Sequence, residues 1–176
     1  MLRLERLLDD GSAGDAEAGT LTLPFELRRR SRLLVRLDDG EEAGLFLERG
    51  TVLRDGDRLA GSDRDGERMV RIIAAAESVY LVEPGAECTL AQAAYHLGNR
   101  HVPVEINERF LKIERDPVLR NMLTQLGAVV REAQAALQPE PGAYGGGPRH
   151  GHDSDQAEEY GLAQSVFSQR HGVQPR

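Results

Sequence analysis

Short apolar runs broken by turn chemistry make up the first part of the chain, and helical periodicity enters only later. Leu33-Leu34-Val35-Arg36-Leu37 runs into Asp38-Asp39-Gly40, Gly44-Leu45-Phe46-Leu47 precedes Arg49-Gly50, and Thr51-Val52-Leu53 leads to Asp55-Gly56-Asp57. Glycine accepts the positive φ that tight hairpin turns require, so these Asp-Gly steps predict antiparallel hairpins between strands. Met69-Val70-Arg71-Ile72-Ile73 is a further strand candidate. Residues 1–76 therefore read as a small all-β domain.

From Glu77 the pattern changes. Val79-Tyr80-Leu81-Val82 predicts a strand ended by Glu83-Pro84-Gly85. Thr89-Leu90-Ala91-Gln92 has capping-box spacing, and Leu90, Ala93, Ala94 and Leu97 follow at helical intervals, with Gly98 where a stop belongs. Val102, Val104 and Ile106 alternate with Pro103 and Glu105 to give a strand with those three residues facing the core. Phe110-Leu111-Lys112-Ile113 is its antiparallel neighbour across an Asn107-Glu108 turn. Asp116 as N-cap and Pro117 at the first helical position open a second helix with Leu119, Met122, Leu123 and Leu126 as its buried stripe. Gly127 closes it, and Ala128-Val129-Val130 begins a last strand. The order β-α-β-β-α-β over residues 77–137 is that of a ferredoxin-like unit, so the fold class is α+β. Residues 138–176, rich in Gly, Pro and acidic positions, read as a flexible tail that cannot support a packed core.

Composition narrows the function. The formal charge of −7 offers no positive field to displace counterions from phosphates, which argues against a nucleic-acid partner. No apolar stretch reaches membrane-spanning or signal-peptide length, and the single cysteine, Cys88, cannot form an internal disulfide. A reducing, cytoplasmic setting is the expectation. Cys88 reads as a buried structural thiol, and Arg28-Arg29-Arg30-Ser31-Arg32 reads either as a docking patch or as a solvated strand edge. Asp38-Asp39 and Glu41-Glu42 read as turn solvation.

Four of the five histidines fall in two short clusters, His96 and His101 on the second domain and His150 and His152 in the tail. Neutral imidazole binds borderline metals such as nickel, copper and zinc. On a helical wheel His96 lies roughly 110° from the apolar face, a flank position. His101 has the opposite parity to Val102, Val104 and Ile106, so it points away from its own core. A lone surface imidazole is a poor metal site, because such ions take four or more donors. Near a two-fold axis, however, one residue supplies two ligands, and His150 and His152 can complete the sphere. Ligation needs the neutral ring, so binding weakens as pH falls through the ordinary imidazole range near about 6.5. A metal-dependent hydrolase, needing three fixed ligands and a base, is a rival reading, as is a scaffold whose histidines are incidental. No Gly-x-x-x-x-Gly-Lys-Ser/Thr loop occurs, so any nucleotide hydrolysis belongs to a partner.

The stretch Tyr95-His-Leu-Gly-Asn-Arg-His-Val-Pro103, with Val118-Leu-Arg-Asn-Met-Leu123 and Pro139-Glu-Pro-Gly-Ala-Tyr144 before a histidine-bearing tail, resembles the UreE family of urease accessory proteins. Gly44-Leu-Phe-Leu-Glu-Arg-Gly50 and Leu53-Arg-Asp-Gly-Asp57 fit the same family, and the likeness covers nearly all of the chain before its last stretch. The resemblance implies a homodimeric nickel metallochaperone, not an enzyme, with a peptide-binding-like first domain and a ferredoxin-like metal-binding domain. It implies delivery of Ni2+ (with Zn2+ or Cu2+ able to bind the same imidazoles) in urease maturation, with the GTPase UreG and the urease apoprotein–accessory protein complex as partners. The histidine closing Gly98-Asn99-Arg100-His101 matches the family's interface ligand, and His96 matches a position often seen as histidine. Some relatives carry further histidines just before the second helix, where this chain has Ile113-Glu114-Arg115-Asp116-Pro117. The tail is also poor in histidine beside the richest relatives, which argues against nickel storage.

Overall fold

The computed structural model describes residues 1–8, 19–64 and 66–141. Strands β1 (Leu2–Leu8), β2 (Gly19–Leu23), β3 (Arg32–Arg36), β4 (Glu42–Phe46), β5 (Arg58–Asp63) and β6 (Gly66–Ala74) form one six-stranded sheet in the order β2-β6-β5-β1-β4-β3. A short helix, α1 (Phe25–Arg28), separates β2 from β3. The Asp38-Asp39-Gly40 step makes the expected hairpin, with β3 and β4 antiparallel and Gly40 at φ 94°. Two pairings are parallel, β1 with β4 and β2 with β6, and need connections longer than a turn. Leu2 and Leu4 alternate with Arg3 and Glu5 along β1, the period that buries one face of a strand. They pack with Leu21, Leu45, Leu59, Val70 and Ile72 in the first core. Thr51-Val52-Leu53, read above as a strand, is irregular. Leu53 is buried and donates its amide to Arg28 O at 2.9 Å, so it fills the core from a loop.

The second domain follows the βαββαβ order: β7 (Glu77–Glu83), α2 (Leu90–Gly98), β8 (Glu105–Ile106), β9 (Leu111–Glu114), α3 (Pro117–Gln125) and β10 (Val129–Ala135). Its sheet runs β10-β7-β9-β8 with every pairing antiparallel, the ferredoxin-like arrangement in which the first and third strands are central. Leu97, Leu111, Ile113, Leu123, Tyr80 and Val82 form its core. The capping box forms as its spacing requires, Gln92 N donating to Thr89 Oγ1 at 3.2 Å and Thr89 N to Gln92 Oε1 at 2.9 Å. Asp116 caps α3 through Val118 N at 2.7 Å and Leu119 N at 3.3 Å. Among the described residues no helix is long and apolar enough to cross a membrane.

One expectation fails at β8. Only Glu105 and Ile106 pair as strand, and Ile106 is 56% exposed while Glu105 is half-buried, the reverse of the predicted parity. The reason lies in the chain's approach. Val102 and Val104 already pack on the second core from irregular backbone, and the Glu105 carboxylate is drawn inward by Lys112 Nζ at 2.7 Å. An inward charge with a partner displaces the apolar alternation that sequence pattern alone predicts.

Candidate metal centre

The two helices of the second domain end in the same way. In α3, Gly127 N donates to Thr124 O and Ala128 N to Leu123 O, both at 3.0 Å, with Gly127 at φ 88°. In α2, His101 N donates to Gly98 O at 2.9 Å and Val102 N to Leu97 O at 3.2 Å, with His101 at φ 55°. Both are Schellman closures, in which the residue after the cap takes the left-handed conformation and its successor packs back on the last turn. Gly98, expected to stop the helix, is itself helical, and the left-handed role falls to His101. It is the sole positive-φ non-glycine among the described residues. Glycine takes this conformation freely, whereas a side chain there costs about 1–2 kcal/mol, somewhat less for polar residues such as histidine. Local folding needs do not call for an imidazole at this position.

His101 is exposed. It lines a cleft of about 750 Å³ between the two domains, together with Ala94, Val102, Pro103, Val104 and Ile106 of the second domain and Phe25, Arg28, Val52 and Leu53 of the first. His96 is half-buried on the flank of α2 and does not line that cleft. Its ring meets Tyr95 edge-on at 5.4 Å, and its carbonyl accepts from Arg100 Nη1 at 2.9 Å. Tyr95 is 66% exposed beside it. His150 and His152 lie outside the described residues. Among the described residues no group of three or more His, Cys, Asp or Glu side chains is arranged to hold a metal ion. Cys88 is buried with its Sγ 3.5 Å from Thr89 O, the structural thiol that was expected.

Within the arginine run Arg29, Arg30 and Arg32 are exposed and Arg32 opens the edge strand β3, as a solvated strand edge requires, whereas Arg28 departs from both readings. Arg28 ends α1 and is only 1% exposed. Its guanidinium donates to three main-chain carbonyls, Nε to Leu23 O at 3.2 Å, Nη1 to Leu53 O at 2.8 Å and Nη2 to Leu137 O. Burial pushes its pKa below the ordinary arginine value, and the carboxylates of Glu77, Asp55, Asp57 and Glu105 work in the opposite direction. Nothing local in Arg-Arg-Arg-Ser-Arg distinguishes the residue that turns inward. The distinguishing feature is that Leu23, Leu53 and Leu137, from three separate parts of the chain, all present carbonyls to the same place.

Leu137 precedes the segment assigned above to the tail, and the first residues of that segment, 138–141, are well fastened. Gln138 N donates to Glu105 Oε2 at 2.7 Å, Glu140 N to Val104 O at 2.8 Å, and Asp55 N to Gln138 Oε1 at 2.9 Å. Pro139 and Pro141 have no amide to satisfy, so both main-chain N–H donors of 138–141 are used. Burial pushes the Glu105 carboxyl up, but hydrogen bonds from Lys112, Gln138 N and Asn107 outweigh it and hold the group below its ordinary value. The acidic turn pairs also do more than meet solvent. Asp38 accepts from Thr20 Oγ1 at 2.6 Å and Thr22 Oγ1 at 2.9 Å, bonds that lower its pKa, and Glu41 pairs with Arg68 at 2.8 Å.

A sheet-rich first domain followed by a ferredoxin-like second domain defines the chain as a two-domain α+β protein. Family models described as UreE urease accessory protein, N-terminal domain, and UreE urease accessory protein, C-terminal domain, match residues 3–75 and 77–171. Urease accessory protein UreE of Burkholderia vietnamiensis is 56% identical over 157 residues, covering 89% of this chain and 77% of that protein. Its counterpart in Burkholderia thailandensis is 57% identical over 157 residues, covering 89% and 72%. The chain belongs to the UreE family of urease accessory proteins, and with it comes a role in urease maturation.

Proposed function

We propose that the protein is a nickel metallochaperone, binding Ni2+ as cargo and delivering it during urease assembly. The observation that carries this reading is His101, an exposed imidazole held in a left-handed position that glycine fills in the neighbouring helix. Backbone strain kept where packing does not need it points to function. One imidazole is too few donors for a stable site. In a two-fold homodimer with His101 at the axis, two rings share one ion, and His150 or His152 adds further nitrogen. His96, half-buried on the flank of α2, is less accessible than His101. Nitrogen ligands without thiolate leave the ion exchangeable, which suits handover to the GTPase UreG and the urease apoprotein–accessory protein complex in the cytoplasm.

Isothermal titration with nickel, on the wild type, on His101→Asn and on a chain ending at Tyr144, tests the division of labour. Asparagine tolerates the left-handed backbone, so the variant removes the imidazole without disturbing the helix end. The expected result is loss of the tight site in His101→Asn and its survival, with weaker sites gone, in the truncated chain. Tight binding that persists in His101→Asn contradicts the proposal.

A further inference from the structure

The two domains have separate sheets and separate cores, so whatever holds them at one orientation lies at the junction between them. Domains of one chain move relative to each other unless the interface between them is large and apolar. Here a cleft of about 750 Å³ opens between them instead. The chain passes from β6 to β7 through Ala75 and Ala76, and it meets the first domain again at Leu137 and Gln138, just after β10. Residues 23–28 and 53–55 of the first domain receive both crossings. On the way out, Ala74 N donates to Asp55 Oδ1 at 2.7 Å, Ala75 N to Leu23 O at 2.9 Å and Phe25 N to Glu77 Oε1 at 2.8 Å. On the return, Asp55 N donates to Gln138 Oε1 at 2.9 Å, and Arg28 Nη2 donates to Leu137 O. Arg28 links the two crossings, because its Nε also donates to Leu23 O, the acceptor of the Ala75 amide, at 3.2 Å. Its third bond, from Nη1 to Leu53 O at 2.8 Å, anchors it in the first domain.

We propose that Arg28 is an interdomain latch: by joining Leu23 and Leu53 of the first domain to Leu137 after the last strand of the second, it makes the two domains one cooperative unit and fixes their relative orientation across the cleft. The inference goes beyond the nickel reading and does not depend on it. Arginine suits the task and lysine does not, since only a planar fork reaches three carbonyls in different directions. With Arg28 only 1% exposed, water is poorly placed to replace the bonds that a shorter or narrower donor gives up.

The test uses the full chain without metal. Residual dipolar couplings of backbone amides read the orientation, and native-state hydrogen exchange reads the coupling. In the wild type, couplings from both sheets are expected to fit a single alignment tensor. Thr89→Ala, which weakens only the cap of α2, is expected to speed exchange about fivefold in the interior strands β1 and β7 alike, because a coupled pair opens together. In Arg28→Lys the two domains take different tensors, and adding Thr89→Ala speeds exchange in β7 while leaving β1 unchanged. Gln138→Ala, which removes only the bond to Asp55, moves both readouts in the same direction and serves if Arg28→Lys does not fold. A wild type that needs two tensors, or that does not transmit Thr89→Ala to β1, overturns the proposal. So does persistence of either the single tensor or the transmitted effect in Arg28→Lys, or in Gln138→Ala where the lysine variant does not fold.

Discussion

His101 and Gly127 sit at equivalent points of two helix ends in one small domain, joined by the same pair of hydrogen bonds. This internal control separates what folding requires from what it tolerates. Glycine at position 101 removes left-handed strain but adds freedom to the unfolded chain, and the two terms nearly offset. His101→Gly is therefore expected to match the wild type, or exceed it by up to about 1 kcal/mol, in urea unfolding, while losing tight nickel binding. A variant destabilised by more than about 1 kcal/mol shows instead that the ring contributes to packing. The exposure of His101 was legible in the sequence, because its parity opposed that of neighbouring valines. Its backbone conformation was not, since Gly98 offered a more obvious stop and the closure came three residues later. Arg28 was illegible for a different reason: which member of an arginine run turns inward depends on carbonyls 5, 25 and 109 positions away.

At the level of elements, local signals served well wherever they were self-contained. The Thr89 box and the Asp116-Pro117 start formed as spacing demanded, because a cap is settled within four residues. Thr89→Ala is expected to cost about 1 kcal/mol in thermal or urea unfolding, with amide exchange rising first across α2. Nickel affinity should change little if the Schellman end holds His101 in place. The parallel pairings of β1 with β4 and β2 with β6 left no such mark, as they join segments that no turn connects. The same holds for β8, whose parity is decided by Lys112 on a neighbouring strand. Glu105 also gives the 137–141 segment a pH dependence. Its folded pKa lies below the ordinary 4.5. Its contribution is thus complete above the unfolded value and disappears as pH falls through the folded one. Acid titration should loosen the Gln138 and Glu140 amides only below about pH 4.5. Glu105→Gln should flatten that acid limb, and an unaltered limb in the variant assigns the loosening to another group.

For the molecule as a whole, two domains meet across a cleft lined by His101 of one and by Val52, Leu53 and Arg28 of the other. The junction is secured by main-chain carbonyls and one buried cation, so the first domain helps to define the surroundings of His101. The ferredoxin-like topology was readable from element order alone, whereas the cleft was not, because it arises where residues 25–29, 50–57, 101–106 and 138–141 converge. Among the described residues no complete set of metal ligands occurs in one chain. If nickel is the cargo, the second copy and the tail have to supply the missing donors. Native mass spectrometry of the full-length protein, counting nickel ions per assembled species, tests this most directly. A dimer holding one tightly bound ion, with His101→Gly dimers holding none, is the predicted result. Monomers that each keep an ion of their own, or His101→Gly dimers that still retain it, would contradict the account.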